Sequence, residues 1–175
     1  MTAAAAEASD QRPLSLRVLV DQPEIPGNTG NLIRLAAITG VELHLAEPLG
    51  FDFADAKLRR AGLDYHDLAV MTIHPSLEAA YEALRIFPTP SGSTRVFAFT
   101  GEGTTTHTAL AYRPGDVMLF GRESTGLEQH VKDDPRITAT VRIPMMPSRR
   151  SLNLANSVSI AVFEAWRQQG FRGAA

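Results

Sequence analysis

At 175 residues, with 44% hydrophobic and 21% charged positions, the chain has the length of one domain and the composition of a globular protein, not a disordered one. It contains no cysteine, which excludes disulfides, thiolate zinc sites and cysteine nucleophiles. A formal charge of −2 does not mark a polyanion binder, so any nucleic-acid contact has to come from a local basic patch or from one assembled across two subunits. The five histidines lack metal-ligand spacing, and no metal is expected. No stretch approaches the roughly 18 apolar residues of a membrane span. The alanine-rich start lacks the basic and apolar regions of a signal peptide. The expectations are a flexible leader over 1–13, a single domain over 14–175 and a cytoplasmic location.

Leu16 to Asp21 reads as the first strand, followed by a turn from Pro23 to Gly27. Asn28 or Thr29 is expected to cap a helix that runs to about Thr39 and stops at Gly40. Val41 to Ala46 is a second strand, Asp55 to Ala61 a short basic helix, and Ala69 to Ile73 a third strand. Ser76 caps a helix from Leu77 to Leu84, with Glu78 and Glu82 on its solvated face; Phe87 to Ser93 is a surface connection. Arg95 to Thr100, Asp116 to Phe120 and Thr138 to Ile143 complete the strands. The alternation predicts an α/β fold: a mainly parallel six-stranded sheet with helices on both faces. Such a sheet binds ligands beyond the carboxyl ends of its strands, in the loops after Thr100, Phe120 and Ile143.

The closing helix, about Leu152 to Gln169, spreads Leu152, Leu154, Ala155, Val158, Ile160, Ala161, Val162, Phe163, Ala165 and Trp166 around its circumference. A helix apolar all round needs burial on more than one side, and in so small a chain the second surface is expected to be another subunit. Asn153, Ser157 and Glu164 share one narrow polar seam.

Familiar cofactor signatures fail. Gly101-Glu102-Gly103 follows a strand, but Thr106 stands where a dinucleotide fingerprint needs glycine. There is no P-loop, and Ser124 and Ser151 lack the setting of a nucleophile elbow. Three other segments stand out. They are Pro26-Gly27-Asn28-Thr29-Gly30-Asn31-Leu32-Ile33-Arg34, then Leu119-Phe120-Gly121-Arg122-Glu123-Ser124-Thr125-Gly126-Leu127, and Ile143-Pro144-Met145-Met146-Pro147 with Arg149-Arg150-Ser151-Leu152-Asn153-Leu154-Ala155-Asn156-Ser157-Val158-Ser159. In this order they resemble the three motifs of the SPOUT (α/β-knot) RNA methyltransferases. Leu58 to His66 and Glu164 to Gln168 are similar to the branch that methylates the wobble ribose, the tRNA (cytidine/uridine-2′-O-)-methyltransferases; the resemblance spans about Leu16 to Gly173.

That resemblance implies a deep trefoil knot near the C-terminus and an obligate homodimer. It also implies S-adenosyl-L-methionine as cofactor and the tRNA anticodon stem-loop as partner, with methyl transfer to the 2′-hydroxyl of the wobble pyrimidine, leucine tRNAs being the expected substrates. Cofactor contacts fall on Phe99, Thr100, Gly121, Ile143, Met145, Ser151 and Leu152. Backbone groups of Gly121 and Ile143 would meet the adenine edges, with Leu119, Ile143, Met145 and Leu152 as an apolar slot for the ring. Arg34 falls at the reacting centre. A guanidinium stays protonated to above about pH 12 and has no acceptor atom, so Arg34 is expected to pin a phosphate and stabilise charge while another group takes the proton. Glu123 and Asn153 would orient Arg34 and the substrate. Arg59, Arg60, Arg149 and Arg150, with Lys57 nearby, are candidates for phosphate contacts, and Tyr65 and His66 for stacking on unpaired bases. His44, His74, His107 and His130 read as structural or surface residues. The alternatives are a non-catalytic, knotted RNA-binding dimer and a 2′-O-methyltransferase for another RNA.

Overall fold

The computed structural model describes residues 15–52, 71–88, 94–148 and 151–174. Its strands are β1 (Arg17–Asp21), β2 (Glu42–Ala46), β3 (Met71–His74), β4 (Val96–Phe99), β5 (Thr105–Thr106), β6 (Val117–Phe120) and β7 (Ile137–Arg142). They form one sheet in the order β3-β2-β1-β6-β4-β7-β5, with every neighbouring pair parallel. Among the described residues the sheet therefore has seven strands, not the expected six. The addition is β5, whose two threonines pair with Val141 and Arg142 at one edge. Two polar residues carry no apolar alternation by which a strand is read from sequence.

Side chains alternate between the two faces, as the pleat requires. Val18 and Val20 of β1, Phe97 and Phe99 of β4, and Met118 and Phe120 of β6 pack with two helices, α1 (Pro26–Thr39) and, at the chain's end, Leu154–Gln168. Leu19, Val96, Ala98, Val117 and Leu119 face the opposite way, against α2 (Leu77–Ala83) and α3 (Gln129–Lys132). The Leu154–Gln168 helix is α4. Both faces are thus covered, and each fully buried Leu, Ile, Val or Phe contributes about 1.5–3 kcal/mol relative to leaving it exposed.

Helix ends follow local chemistry. Ser76 Oγ accepts from the Ala79 N–H at 3.1 Å and starts α2. Gly40 ends α1 in the left-handed region, φ 74°, donating its N–H to the Ala36 carbonyl at 2.8 Å. The start of α1 differs from expectation: Pro26 occupies the first helical turn behind Ile25, and Asn28 lies inside the helix. Proline suits that place because its missing N–H would have had no helical acceptor, and Asn28 is left for other work. The four-residue α3 is too short to show a helical period.

The closing helix begins two residues later than expected, with Asn153 as its cap accepting from the Asn156 N–H at 3.2 Å. Leu154, Ala155, Val158, Ala161, Val162, Ala165 and Trp166 are buried within the chain, whereas Ile160 and Phe163 remain 38% and 43% exposed. The polar seam is satisfied along the helix itself: Ser157 Oγ donates to the Asn153 carbonyl at 3.1 Å, and Glu164 accepts from Arg167 and Gln168 at 2.8 and 2.7 Å. The expected leader, the basic helix at 55–61 and the segment 89–93 lie outside the described residues. Among the described residues no helix is long and apolar enough to cross a membrane.

On the α2 face, buried His44 and His74 meet with Nδ1 and Nε2 3.0 Å apart and rings stacked at 5.2 Å between centroids. Burial holds both imidazoles below the usual histidine range, and at His44 the neighbouring His74 adds to the effect while Glu42 opposes it. A folded pKa below the unfolded value means that protons favour the unfolded chain. The pair's contribution is complete above the unfolded value of 6.5 and is lost as pH falls below it. The urea midpoint is expected to drop between about pH 7.5 and 5.5, and the double variant His44→Leu/His74→Leu to flatten that dependence. An unchanged slope in the variant refutes the assignment.

Candidate active site

β6, β4 and β7 are neighbours in the sheet, so the loops leaving their carboxyl ends emerge side by side. After β4 the Thr100 N–H donates to the Val141 carbonyl at 2.8 Å, and Gly103 lies so close to the backbone of Val141 and Arg142 that a Cβ there would overlap it. After β6 the chain curls back on itself: the Gly126 N–H donates to the Arg122 carbonyl at 2.9 Å, with Gly126 at φ 71°. Gly121 abuts the Gly126–Leu127 peptide with no room for a side chain. Between these two loops and the chain that leaves β7 lies a cleft of about 590 Å³. Phe99, Thr100, Gly121, Ile143, Met145, Ser151 and Leu152 all line it, as do Glu123 and Asn153.

A hydrogen-bonded chain ties three distant segments together at this cleft. The Glu123 carboxylate accepts from the Glu24 N–H at 2.7 Å, the Ile25 N–H at 3.2 Å and Asn28 Nδ2 at 3.0 Å. Asn28 in turn accepts, through Oδ1, from Asn153 Nδ2 at 2.9 Å. The exchange with the α1 entry is reciprocal, because Glu24 accepts from the Ser124 N–H and hydroxyl, both at 2.9 Å. Those two bonds hold the Glu24 carboxyl below the usual carboxylate range. Glu123 thus serves amide donors that α1 leaves without helical partners, and a negative charge there also complements the helix dipole.

Within one chain, and among the described residues, the hydrogen bonds of Glu123 and Asn153 run to the starts of α1 and α4 and not to Arg34 of the same chain. Arg34 itself is exposed on α1 and is not part of the wall of this cleft. Leu119, expected in the apolar slot, is fully buried on the opposite face of the sheet, and its neighbour Phe120 lines the cleft instead. Strand alternation is the signal that separates the two. Asn28, Leu127 and Lys132 also line the cleft and were not anticipated there. Asn28 was in plain view within the first motif, whereas Lys132 follows no motif at all. Lys57, Arg59, Arg60, Tyr65, His66, Arg149 and Arg150 lie outside the described residues.

A parallel α/β sheet with a ligand-sized cleft over three adjacent strand ends, walled by those three motifs, defines a methyltransferase class. The model of the SpoU rRNA methylase family matches residues 15–163, and the chain belongs to that family. The SPOUT resemblance is correct at that level. The tRNA (cytidine(34)-2′-O)-methyltransferase of Methylovorus glucosotrophus (strain SIP3-4) is 48% identical over 157 residues, covering 90% of this chain and 97% of the relative. A solved structure described as giving structural insights into the 2-OH methylation of C/U34 on tRNA is 44% identical with a TM-score of 0.77, covering 90% of this chain and 97% of that one. The SpoU methyltransferase AviRb from Streptomyces viridochromogenes, solved in complex with the cofactor AdoMet, is 27% identical with a TM-score of 0.75 over 90% of this chain and 59% of that one.

Replacing Asn28 by aspartate keeps the shape but removes the amide donor and sets a second carboxylate against Glu123. Asn28→Asp is expected to lower stability by about 1–3 kcal/mol, and Glu123→Gln in the same chain to recover part of that loss. Urea titration of the four members of this cycle checks the coupling; purely additive losses contradict it.

Proposed function

We propose that the chain is an S-adenosyl-L-methionine-dependent tRNA ribose 2′-O-methyltransferase acting on the wobble pyrimidine, position 34 of the tRNA, as its curated relatives are named. The observation that carries this reading is the convergence of all three motif segments on one cleft over the ends of β4, β6 and β7. The residues present fit the cofactor. A volume of about 590 Å³ lies within the usual range for small-molecule sites, and Ile143, Met145 and Leu152 offer apolar surface to a purine beside the backbone groups of Gly121. When bound, the cofactor supplies an electrophilic methyl group on a sulfonium.

The chain's own task is to present a ribose hydroxyl to that methyl in a nearly linear approach and to relieve the charge that builds on its oxygen. A guanidinium has five donors and no acceptor atom, so Arg34 holds the nucleotide's phosphate and stabilises the oxygen, while a water or another group accepts the proton. Because Arg34 is exposed and lies outside the wall of its own chain's cleft, it serves the cleft of a second protomer. A homodimer built on the α1 and α4 layer suits this: the two helices pack against each other, Ile38 of α1 is 69% exposed, and Ile160 and Phe163 of α4 are exposed as well. The threaded C-terminal chain that the resemblance implies is part of this reading. Arg59, Arg60, Arg149 and Arg150 are assigned to phosphates, Tyr65 and His66 to unpaired bases of the anticodon loop, and leucine isoacceptors are the expected recipients in the cytoplasm.

Purified protein with radiolabelled S-adenosylmethionine is expected to label the 2′-hydroxyl of tRNAs carrying cytidine or uridine at the wobble position. Arg34→Ala should keep cofactor affinity within about twofold while transfer falls about a hundredfold or more. Label confined to ribosomal RNA refutes the substrate, and RNA binding without any labelling favours the non-catalytic alternative.

A further inference from the structure

Among the described residues, four charged side chains line the cleft: Glu102, Arg122, Glu123 and Lys132. Two are committed elsewhere. Glu123 receives three N–H donors from the α1 entry, and Arg122 donates to Glu128 at 2.7 Å. Glu102 and Lys132 are held far more loosely. Lys132 Nζ is 3.5 Å from Glu102 Oε2, longer than an ordinary charge-assisted hydrogen bond. The lysine side chain is only 16% exposed, whereas the glutamate is 86% exposed. An ammonium carries three donors, and one distant carboxylate leaves most of that capacity unused where water is scarce. The two residues approach from different elements, Glu102 from the β4–β5 loop and Lys132 from α3.

We propose that Lys132 and Glu102 clamp the amino-acid end of the nucleoside ligand, Lys132 taking its carboxylate and Glu102 its ammonium. This rests on the cofactor reading of the cleft and adds what grips the tail. A zwitterion exchanges one loose ion pair for two and brings no net charge into the cleft. A phosphate would face repulsion from Glu102, and a neutral nucleoside would leave the pair as it stands. Charge pattern therefore selects a ligand with both signs close together, while Ile143, Met145 and Leu152 select its purine.

Calorimetric titration with two ligands separates the tail from the nucleoside. S-Adenosylhomocysteine carries the zwitterion; 5′-methylthioadenosine has the same nucleoside thioether without it. Lys132→Met is expected to weaken S-adenosylhomocysteine binding about tenfold and to leave 5′-methylthioadenosine within about twofold, with Lys132→Arg retaining most of the affinity. Glu102→Gln, at an exposed position that does not bear on folding, should give the same selective loss at about threefold. Parallel losses for both ligands, or unchanged S-adenosylhomocysteine affinity, overturn the clamp and leave the cofactor reading intact. A wild-type protein that binds neither ligand overturns both.

Discussion

Asn28 has one amide and two directions in which to use it. Its Nδ2 donates to Glu123 and its Oδ1 accepts from Asn153, partners 95 and 125 residues away along the chain. The residue is only 7% exposed, so neither bond is readily replaced by water. A carboxylate in its place loses the donor, an aliphatic side chain loses both ends, and a longer amide does not fit the same span. Through this one side chain the start of α1, the loop after β6 and the start of α4 take fixed positions relative to one another. The cleft walls are made of those same pieces.

The two glycine-dependent contacts serve the same end. Gly121 against Gly126 and Gly103 against Val141 let the loops close tightly over the strand ends, which leaves the remaining space to a ligand. At α4, cap and core divide the helix between them: Asn153 belongs to the cleft network, while Val158, Ala161, Val162 and Ala165 anchor the helix to the sheet. Ile160 and Phe163 point away from both. A single helix thus links the ligand site to an exposed apolar surface, and Arg34 on the adjoining α1 lies outside the wall of its own chain's cleft.

Much of this was legible in the sequence because strands and caps are local. Val18, Leu43, Phe97 and Met118 sit in short apolar runs, Ser76 and Gly40 have side-chain or backbone properties that fix helix ends, and the three motifs lie beside the strands that present them. What escaped depended on contacts between distant residues. Thr105 and Thr106 become a strand only because Val141 and Arg142 are there to pair with. Asn28 looks like a helix cap until Pro26 takes over the first turn and a glutamate nearly a hundred positions later claims its amide. Leu119 and Phe120 are equivalent in hydrophobicity, and only the pleat decides which one meets the cleft. Lys132 belongs to a one-turn helix without periodicity, and its place in the wall is set by the packing of Val131 beneath it.

A crystal structure of the chain with S-adenosylhomocysteine tests the account most directly. The ligand is expected between the loops that follow Phe99, Phe120 and Val141, with the Glu123–Asn28–Asn153 chain of hydrogen bonds intact beside it. A ligand bound elsewhere, or bound in the cleft with that chain broken, would contradict it.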